Sequence, residues 1–418
     1  MVTFDIVIVG AGLAGLYCGI QLAKKGKSVC ILEKYNYTGG RVVTYHKGEL
    51  SWEIGAGRIS DSHTMVHSLL SQYGLKTFPL SDKQLFIESD GTAHVNRFES
   101  VFEAVLKEIS DLPAELLGTH TLEQLLKRVY GEVNAMRLLS GFAYRAEVSV
   151  LRADLGIKAF LKGGEMGSYK GYSVVIGGLS KLIDAMVKEF KKNGGILKTE
   201  CEMIGLSQPD AQKQVLIECY LEKKSADIIY ANKVILALHS SALKACPDTR
   251  HFPALKHLVM CPLMRTYAVF PLKNGKPWFS GLERCVSAGP IRYFIPINEK
   301  KGIAMVSYTD ADNADFLIKM MDTKGEEALG KFIMEELGKM FPDRDIPPYT
   351  LFKAHPWYSG CTYWTPGSYD PVIMSEDAMH PDASMPSVYV CGESFSLKQA
   401  WMEGALEHAS DMLNKYFD

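Results

Sequence analysis

Three glycines between an apolar run and a helical pattern constrain the fold of this chain more than any other feature. Residues 6–9 are all aliphatic and predict a strand, which leads into Gly10, Gly12 and Gly15. In a nucleotide-binding turn the first glycine permits the tight turn, the second lets the backbone approach a pyrophosphate, and the third allows close packing of helix against strand. The free N–H groups and the dipole at the helix N-terminus then favour an anion.

The pattern continues into a complete βαβ unit. Leu16, Ile20 and Leu22 have helical spacing, and a second apolar run at 29–32 ends at Glu33. An acid in this place accepts hydrogen bonds from ribose hydroxyls. A glycine turn alone is weak evidence, but this turn follows a strand, opens a helix and precedes such an acid. The segment therefore predicts a dinucleotide site and leaves the identity of the dinucleotide open.

Length and composition limit the class of protein. A chain of 418 residues exceeds one ordinary core, so two interwoven domains are expected. The 46 basic and 48 acidic residues leave a net charge of −2, which gives no sign of a nucleic-acid or polybasic membrane partner. The first strand begins almost at once and no run approaches about 18 apolar residues, so we expect no leader, no membrane span and a cytoplasmic location.

The nine cysteines are scattered and form no CxxC pair, which argues against a disulfide framework and a metal site. Those in apolar segments, such as Cys18, Cys30 and Cys391, are expected to be buried free thiols.

The remaining segments alternate between helical and strand patterns. Helical spacing predominates at 98–145, and a second helix over 179–190 ends at a glycine pair. Alternating apolar and polar runs from 263 to 309 predict an antiparallel sheet with one buried face. Further expectations are a helix capped by Asp61 and Ser62, strands at 214–220, 227–230 and 234–238, a helix at 324–341, a loop at 355–371, and a last helix at 400–416.

Motifs at both ends of the chain carry a family resemblance. Gly39, Gly40 and Arg41 stand where two glycines would bring N–H groups to a pyrophosphate and an arginine would add a cation. Together with the glycine turn and residues 388–409, they make the chain resemble the FAD-dependent flavin amine oxidase family, which includes monoamine, polyamine and L-amino acid oxidases.

The resemblance implies FAD as the cofactor. It places 53–59 along the flavin, Cys201 at the adenine, and the N-terminus of the helix from Ala400 at the flavin ring. The spacing around Cys361 favours non-covalent FAD over the cysteinyl attachment of monoamine oxidases. The residues implied to hold FAD are Gly10, Gly12, Leu13, Ala14, Gly15, Glu33, Lys34, Gly39, Gly40, Arg41, Gly55, Ala56, Gly57, Arg58, Cys201, Gly392, Glu393, Ala400, Trp401 and Met402.

The implied fold is α/β, with a Rossmann-like FAD-binding domain interwoven with an α+β substrate domain that contains a mixed or antiparallel sheet. The FAD domain is expected at 1–75, 165–250 and 360–418, and the substrate domain at 76–164 and 251–359.

Three positions bear on the substrate by the same resemblance. Arg58 aligns with the arginine by which L-amino acid oxidases bind the substrate carboxylate, although a structural salt bridge with Glu53 or Asp61 is the alternative. Tyr308 aligns with a tyrosine that shares this carboxylate, and is otherwise a packed strand residue. Trp401 aligns with the aromatic wall that faces the flavin, where the Ala400 carbonyl would accept from the amine, and is otherwise a core residue in the first turn of a helix.

The chain departs from the family pattern at one catalytic position. Arg265 stands where the family places a lysine that reaches flavin N5 through water, so oxygen activation would be slower or another acceptor used. Tyr363 and Trp364 are expected to wall the substrate pocket. His63, His239 and His355 are expected to be loop or surface residues.

The leading prediction is oxidation of an L-amino acid by oxygen to an imine and keto acid, with ammonia and hydrogen peroxide released. A monoamine or polyamine oxidase is the alternative. A carotenoid- or porphyrinogen-type desaturase and a non-catalytic GDI-like binding protein are the remaining alternatives. The predicted partners are a small amine or amino acid and oxygen, with no nucleic acid, no membrane and a second copy of the chain in a homodimer.

Overall fold

A computed structural model describes residues 3–88, 91–95, 98–141, 144–161, 171–209, 214–221 and 225–417. The strands are β1 (Thr3–Val9), β2 (Val29–Leu32), β3 (Thr44–Lys47), β4 (Leu50–Glu53), β5 (Ile59–Ser60), β6 (Thr77–Pro79), β7 (Gln84–Ile87), β8 (Ala93–Val95), β9 (Tyr172–Val175), β10 (Ile196–Lys198), β11 (Cys201–Ser207), β12 (Val215–Leu221), β13 (Ser225–Leu236), β14 (Leu258–Val269), β15 (Arg284–Ser287), β16 (Tyr293–Asn298), β17 (Ile303–Asp310), β18 (Leu351–Trp364) and β19 (Val388–Val390). The α-helices are α1 (Leu13–Lys24), α2 (Thr64–Gln72), α3 (Phe98–Ser110), α4 (Ala114–Thr119), α5 (Leu122–Tyr130), α6 (Glu132–Ser140), α7 (Ala146–Ser149), α8 (Ala153–Phe160), α9 (Ser180–Lys192), α10 (Ser240–Ala245), α11 (Ala311–Met340), α12 (Pro371–Asp377) and α13 (Met402–Tyr416).

The chain divides into two compact units. The first consists of Met1–Pro79, Tyr172–Val259 and Tyr369–Asp418, and the second of Leu80–Gly171 and Met260–Ser368. The predicted domain boundary at 164–165 lies outside the described residues. The chain therefore leaves the first unit and returns to it twice.

The first unit is built on a seven-stranded sheet in the order β10-β2-β1-β13-β12-β11, with β19 paired to β13. β10, β2, β1, β13 and β19 run parallel, whereas β12 pairs antiparallel with both of its neighbours, β13 and β11. Helices α1, α9 and α13 contribute buried apolar side chains to one core with these strands. The confirmed α/β fold places the carboxyl ends of β1, β13 and β19 at one edge of the sheet.

The second unit contains a second seven-stranded sheet, in the order β18-β14-β17-β16-β15-β7-β8. The strands from 258 to 310 pair antiparallel, which confirms the prediction for 263–309, while β7 joins β15 in parallel. Helix α11 packs its buried leucines and isoleucines on this sheet. Within the described part of 98–145 the structure is helical, again as predicted.

Two predictions about strands need correction. The segments 227–230 and 234–238 belong largely to one strand, β13, because β12 pairs with its first half and β1 with its second half. The predicted loop at 355–371 is a strand as far as Trp364, although it is rich in glycine and aromatic residues. The partners of both strands are distant in sequence, and local composition carries little information about them.

Two helix predictions need correction as well. The helix predicted at 324–341 is the second half of α11, which starts at Ala311 and is interrupted at Gly325, where φ is 86°. Helix α2 begins after His63 rather than Asp61 or Ser62. Cys18, Cys30 and Cys391 are buried free thiols, as predicted. No helix in the described residues is long and apolar enough to cross a membrane.

Candidate active site

The turn between β1 and α1 has the geometry that a dinucleotide requires. Gly10 has φ +105°, and a Cβ built on it would lie 2.6 Å from the Ala237 carbonyl oxygen. A Cβ on Gly15 would lie 2.0 Å from the Gly10 carbonyl oxygen. Gly12 is the N-cap residue of α1. Only glycine fits at the first and third positions, so the N-terminus of α1 remains open to an anion.

A second glycine turn lies against the first. Gly39 and Gly40 have φ of +104° and +59°, and the Gly39 N–H donates to the Ala11 carbonyl at 2.9 Å. A Cβ on Gly40 would lie 3.5 Å from the Gly12 Cα. The Ala56 N–H, in the segment from Gly55 to Gly57, donates to the Arg41 carbonyl at 2.9 Å. The predicted glycine segments therefore form one cradle.

Glu33 lies buried at the end of β2. One carboxylate oxygen accepts from the Ala11 N–H at 2.8 Å and the other from the Tyr35 N–H at 3.0 Å. Burial raises the pKa of Glu33 above its usual range, while the backbone N–H donors act in the opposite direction. The same strand end is joined to β11, because the Cys201 N–H donates to the Glu33 carbonyl and Lys34 pairs with Glu202 at 2.7 Å.

Gly392 and Glu393 follow β19. Glu393 is buried; one oxygen lies 2.7 Å from Arg41 Nη2 and the other accepts from the Ala400 N–H at 2.8 Å. Ala400 has φ +68°, a conformation that L residues rarely adopt. Trp401 is extended and caps α13, which begins at Met402, so the helix starts two residues later than predicted. The reason is the hydrogen bond from Ala400 to Glu393, which holds the chain out of the helix.

Arg58 lies against two aromatic rings within the first unit. Its Cζ is 4.6 Å from the ring centre of Tyr172 and 5.4 Å from that of Trp401. The two rings are parallel within 4°, with centres 6.2 Å apart. Cation–π attraction therefore fixes the guanidinium beside the residue that caps α13. Tyr172 was not among the predicted site residues, because an aromatic residue at the start of a strand looks like a core residue.

Two further residues of this cluster were missed or misplaced. His63 lies in the loop before α2, as predicted, but it is fully buried rather than at the surface, and its ring lies edge-on to Trp401 at 5.0 Å. Glu403 is fully buried in the first turn of α13 and accepts from the Met65 and Val66 N–H groups at 2.8 and 3.0 Å. Glu403 thus caps α2, the role predicted for Asp61 and Ser62. An acid within an apolar helical segment was the sequence signal for it.

Arg265 and Tyr308 are directly opposite each other on β14 and β17 of the second unit. The Arg265 Cζ is 4.5 Å from the Tyr308 ring centre, and Tyr308 also contacts the rings of Tyr293 and Tyr144. Burial alone would lower the pKa of Arg265, but the surrounding tyrosines raise it. Arg265 is therefore a permanent cation, unlike the lysine that the family pattern has there.

Tyr363 and Trp364 are buried at the end of β18. The Tyr363 hydroxyl donates to Glu147 at 3.1 Å. Burial, and to a smaller extent the negative charge of this carboxylate, raises the pKa of Tyr363 well above its usual range. Cys361 is partly exposed on the same strand. His355 is a residue of β18 rather than of a loop. The pocket roles assigned to Tyr363 and Trp364 stay predictions.

Comparison with known proteins decides the family. The sequence model described as flavin containing amine oxidoreductase matches residues 13–411, which is nearly the whole chain. The chain belongs to this family. Its oxidoreductase class confirms the resemblance drawn from the glycine turns and the C-terminal motif.

Members and relatives of the flavin amine oxidoreductase family match over most of their length at low identity. Aplysianin-A from Aplysia kurodai is 22% identical and aligns with 99% of this chain and 90% of its own. A flavin-dependent L-tryptophan oxidase from Lentzea aerocolonigenes is 21% identical over 97% of this chain and 96% of its own. Putrescine oxidase bound to putrescine has a TM-score of 0.76 at 18% identity, with 99% of each chain covered. This last likeness confirms the fold.

FAD is the cofactor of this family member, and the cradle fits it. A Cβ on Gly10, Gly15 or Gly39 would lie 2.6, 2.0 or 2.5 Å from a backbone oxygen, so only glycine allows the close turns beside the N-terminus of α1 that a pyrophosphate needs. Arg41 is a cation beside these turns. Glu33 has oxygens with further lone pairs for ribose hydroxyls in addition to the N–H groups that it binds.

Proposed function

We propose that the protein oxidises L-amino acids and that Arg58 binds the substrate carboxylate. The supporting observation is the position of the Arg58 guanidinium against the rings of Tyr172 and Trp401, next to the start of α13. Contacts with ring faces fix the orientation of a guanidinium, and a guanidinium is the side chain that binds a carboxylate with two parallel hydrogen bonds. L-amino acid oxidases are also among the relatives, for example that of Cerastes cerastes, at 24% identity over 75% of this chain.

The alternative is a structural role in which Arg58 pairs with Glu53 or Asp61. The two Glu53 oxygens accept from the Thr44 hydroxyl at 3.0 Å and the Leu179 N–H at 2.7 Å. Asp61 is exposed and forms no ion pair within the described residues.

FAD held by the glycine turns and Arg41 would supply the acceptor for a hydride from the carbon that bears the amine, with oxygen as the final electron acceptor, so that the products would be an imine and hydrogen peroxide. The imine hydrolyses to a keto acid and ammonia. The protein's part is to hold the substrate in one orientation. Arg58 would fix the carboxylate end, while the Trp401 and Tyr172 rings exclude water around it.

Matched substrates test the proposal. Peroxide production should be measured with L-phenylalanine, with 2-phenylethylamine, which lacks only the carboxylate, and with putrescine and spermidine. The wild type should prefer the amino acid. Arg58→Met keeps an unbranched side chain against the rings but no charge, and should lower kcat/KM for the amino acid more than tenfold, about 1.4 kcal/mol, with little effect on the amine.

Two controls separate binding from folding. Flavin absorbance should show that Arg58→Met holds as much FAD as the wild type. Arg58→Lys keeps the charge without the fork and should give an intermediate loss. If the two variants turn over the amino acid like the wild type, Arg58 is no carboxylate ligand. If the wild type oxidises polyamines and leaves amino acids untouched, the polyamine alternative is correct.

A further inference from the structure

A histidine that follows β13 lies within the FAD cradle, and one of its two ring nitrogens accepts a hydrogen bond from the backbone. We propose that His239 binds the cofactor by donating a hydrogen bond from Nε2–H to the pyrophosphate of FAD. The proposal depends on FAD being the cofactor and is independent of the substrate.

The position of His239 follows from its two neighbours in the chain. Leu238 Cδ2 lies 3.4 Å from a Cβ built on Gly10, so the preceding residue touches the first glycine turn. The Ser240 N–H donates to the Ser394 hydroxyl at 3.1 Å, so the following residue is joined to the segment after Glu393. His239 therefore lies between the two loops that hold the dinucleotide. Ligands of open α/β sheets bind at this carboxyl edge.

The hydrogen bond at Nδ1 defines the state of the ring. Nδ1 accepts from the Ala242 N–H at 3.2 Å and caps α10. A nitrogen that accepts carries no proton, so the neutral ring has its proton on Nε2 and presents a donor there. Nε2 makes no hydrogen bond to the residues that the structure describes. The imidazole is partly exposed, so a ligand can reach it.

The surrounding charges favour an anion next to the ring. Burial, together with the positive charges of Arg41 and Lys34, lowers the pKa of His239 to about 4, against the opposing effect of Glu393. The ring is therefore neutral at pH 7. Two cations and a neutral N–H donor around the glycine turns match the charge and the acceptor oxygens of a pyrophosphate.

Two substitutions distinguish the capping role of Nδ1 from the proposed cofactor contact of Nε2. His239→Asn retains an acceptor at the Nδ1 position, since asparagine is a good helix cap, and lacks a group at the Nε2 position. His239→Gln places an amide N–H near the Nε2 position and caps poorly. Diluting the flavin-loaded full chain and reading the fluorescence of released FAD gives the Kd of each protein, and adding ADP gives the Kd of a ligand with the diphosphate but no flavin.

We expect His239→Asn to weaken FAD and ADP about tenfold each while the thermal unfolding midpoint of the flavin-free chain stays at the wild-type value. His239→Gln should bind both ligands within about threefold of the wild type and unfold at lower temperature. His251→Asn, at an exposed histidine paired with Asp382, should leave Kd unchanged. Wild-type affinity for FAD in His239→Asn overturns the proposal. Weaker binding of FAD with an unchanged Kd for ADP also overturns it, because the contact would then be to a part of FAD other than the pyrophosphate.

Discussion

At the scale of single residues, the space around Gly15 leaves no room for a side chain. A methyl group there would lie 2.0 Å from the Gly10 carbonyl oxygen and 3.2 Å from the Ala237 Cβ. These atoms belong to the backbone of the turn and to the residue that directly follows the central strand β13, so neither can move aside cheaply. Gly15→Ala should therefore push α1 away from the sheet and destabilise the chain by about 1–3 kcal/mol. Thermal unfolding and the flavin absorbance of the purified protein measure the two consequences.

Gly338 provides the matched control, because it also lies within a helix but has no atom within 4 Å of a built Cβ. Gly338→Ala should stabilise the chain by about 0.5–1 kcal/mol, since alanine is the better helix former. It should leave the flavin content unchanged. Equal behaviour of the two variants would show that helix propensity, not the close approach at Gly15, decides the result.

At the scale of elements, Glu403 joins two helices. Its carboxylate lies in the first turn of α13 and accepts from the backbone at the start of α2 and from the Thr64 hydroxyl at 3.1 Å. A negative charge at the N-termini of two helices interacts favourably with both dipoles. The segment that carries Arg58 ends at α2, and Trp401 immediately precedes α13. Glu403 thereby fixes the two sides of the Arg58 cluster relative to each other.

Removing this carboxylate should therefore affect both stability and substrate binding. Glu403→Ala leaves buried N–H groups without acceptors and should lower the free energy of unfolding by about 2 kcal/mol or more. Glu403→Gln retains one acceptor oxygen and should lose less. Glu407→Ala, one turn further along α13, removes only a partly exposed pair with Lys398 and should cost about 0–1 kcal/mol. Denaturant unfolding of the three variants gives these values, and an equal loss at both positions would contradict the capping role.

The elements also show which parts of the fold the sequence could predict. β1, α1 and β2 follow one another closely, and their glycines and apolar runs predict them directly. The strand character of β18 depends on pairing with β14, about a hundred residues earlier, and is hidden by Gly360 and several aromatic residues. The helix start at Met402 depends on Glu393, which holds Ala400 outside the helix. Long-range contacts of this kind leave no local pattern.

The site residues divide in the same way. Gly39, Gly40 and Arg41 could be assigned because their chemistry toward a pyrophosphate is carried by adjacent residues. Tyr172 is brought to Arg58 by the pairing of β9 with β5, which are more than a hundred residues apart. Its contact with Arg58 could therefore not be predicted without the fold. His239 could be assigned to the cradle only after the sheet order placed β13 between β1 and β19.

At the scale of the whole molecule, buried histidines link stability to pH. Burial lowers the pKa values of His239, His355 and His408 to about 4, so each is neutral in the folded chain at pH 5–7. In the unfolded chain a histidine has a pKa of about 6.5 and takes up a proton below that pH. The unfolded state then binds more protons, so stability rises with pH from about 4 to 6.5. Glu33 and Asp310 have raised pKa values and act in the opposite direction.

His408 allows this linkage to be measured at one position. It is buried in α13, and its Nε2 lies 3.1 Å from the Ser375 carbonyl oxygen. His408→Gln keeps an N–H donor in that place and removes the titration. Between pH 6.5 and 5 the wild type should lose stability more steeply than the variant, by a difference that rises from about 0.7 toward about 1.4 kcal/mol per pH unit, the value for one proton. Denaturant unfolding at several pH values measures both slopes.

His46→Gln, at an exposed residue of β3, should follow the wild-type profile. Parallel profiles for wild type and His408→Gln would mean that His408 keeps an ordinary pKa in the folded chain. Protonation of buried histidines would then not explain the loss of stability at low pH.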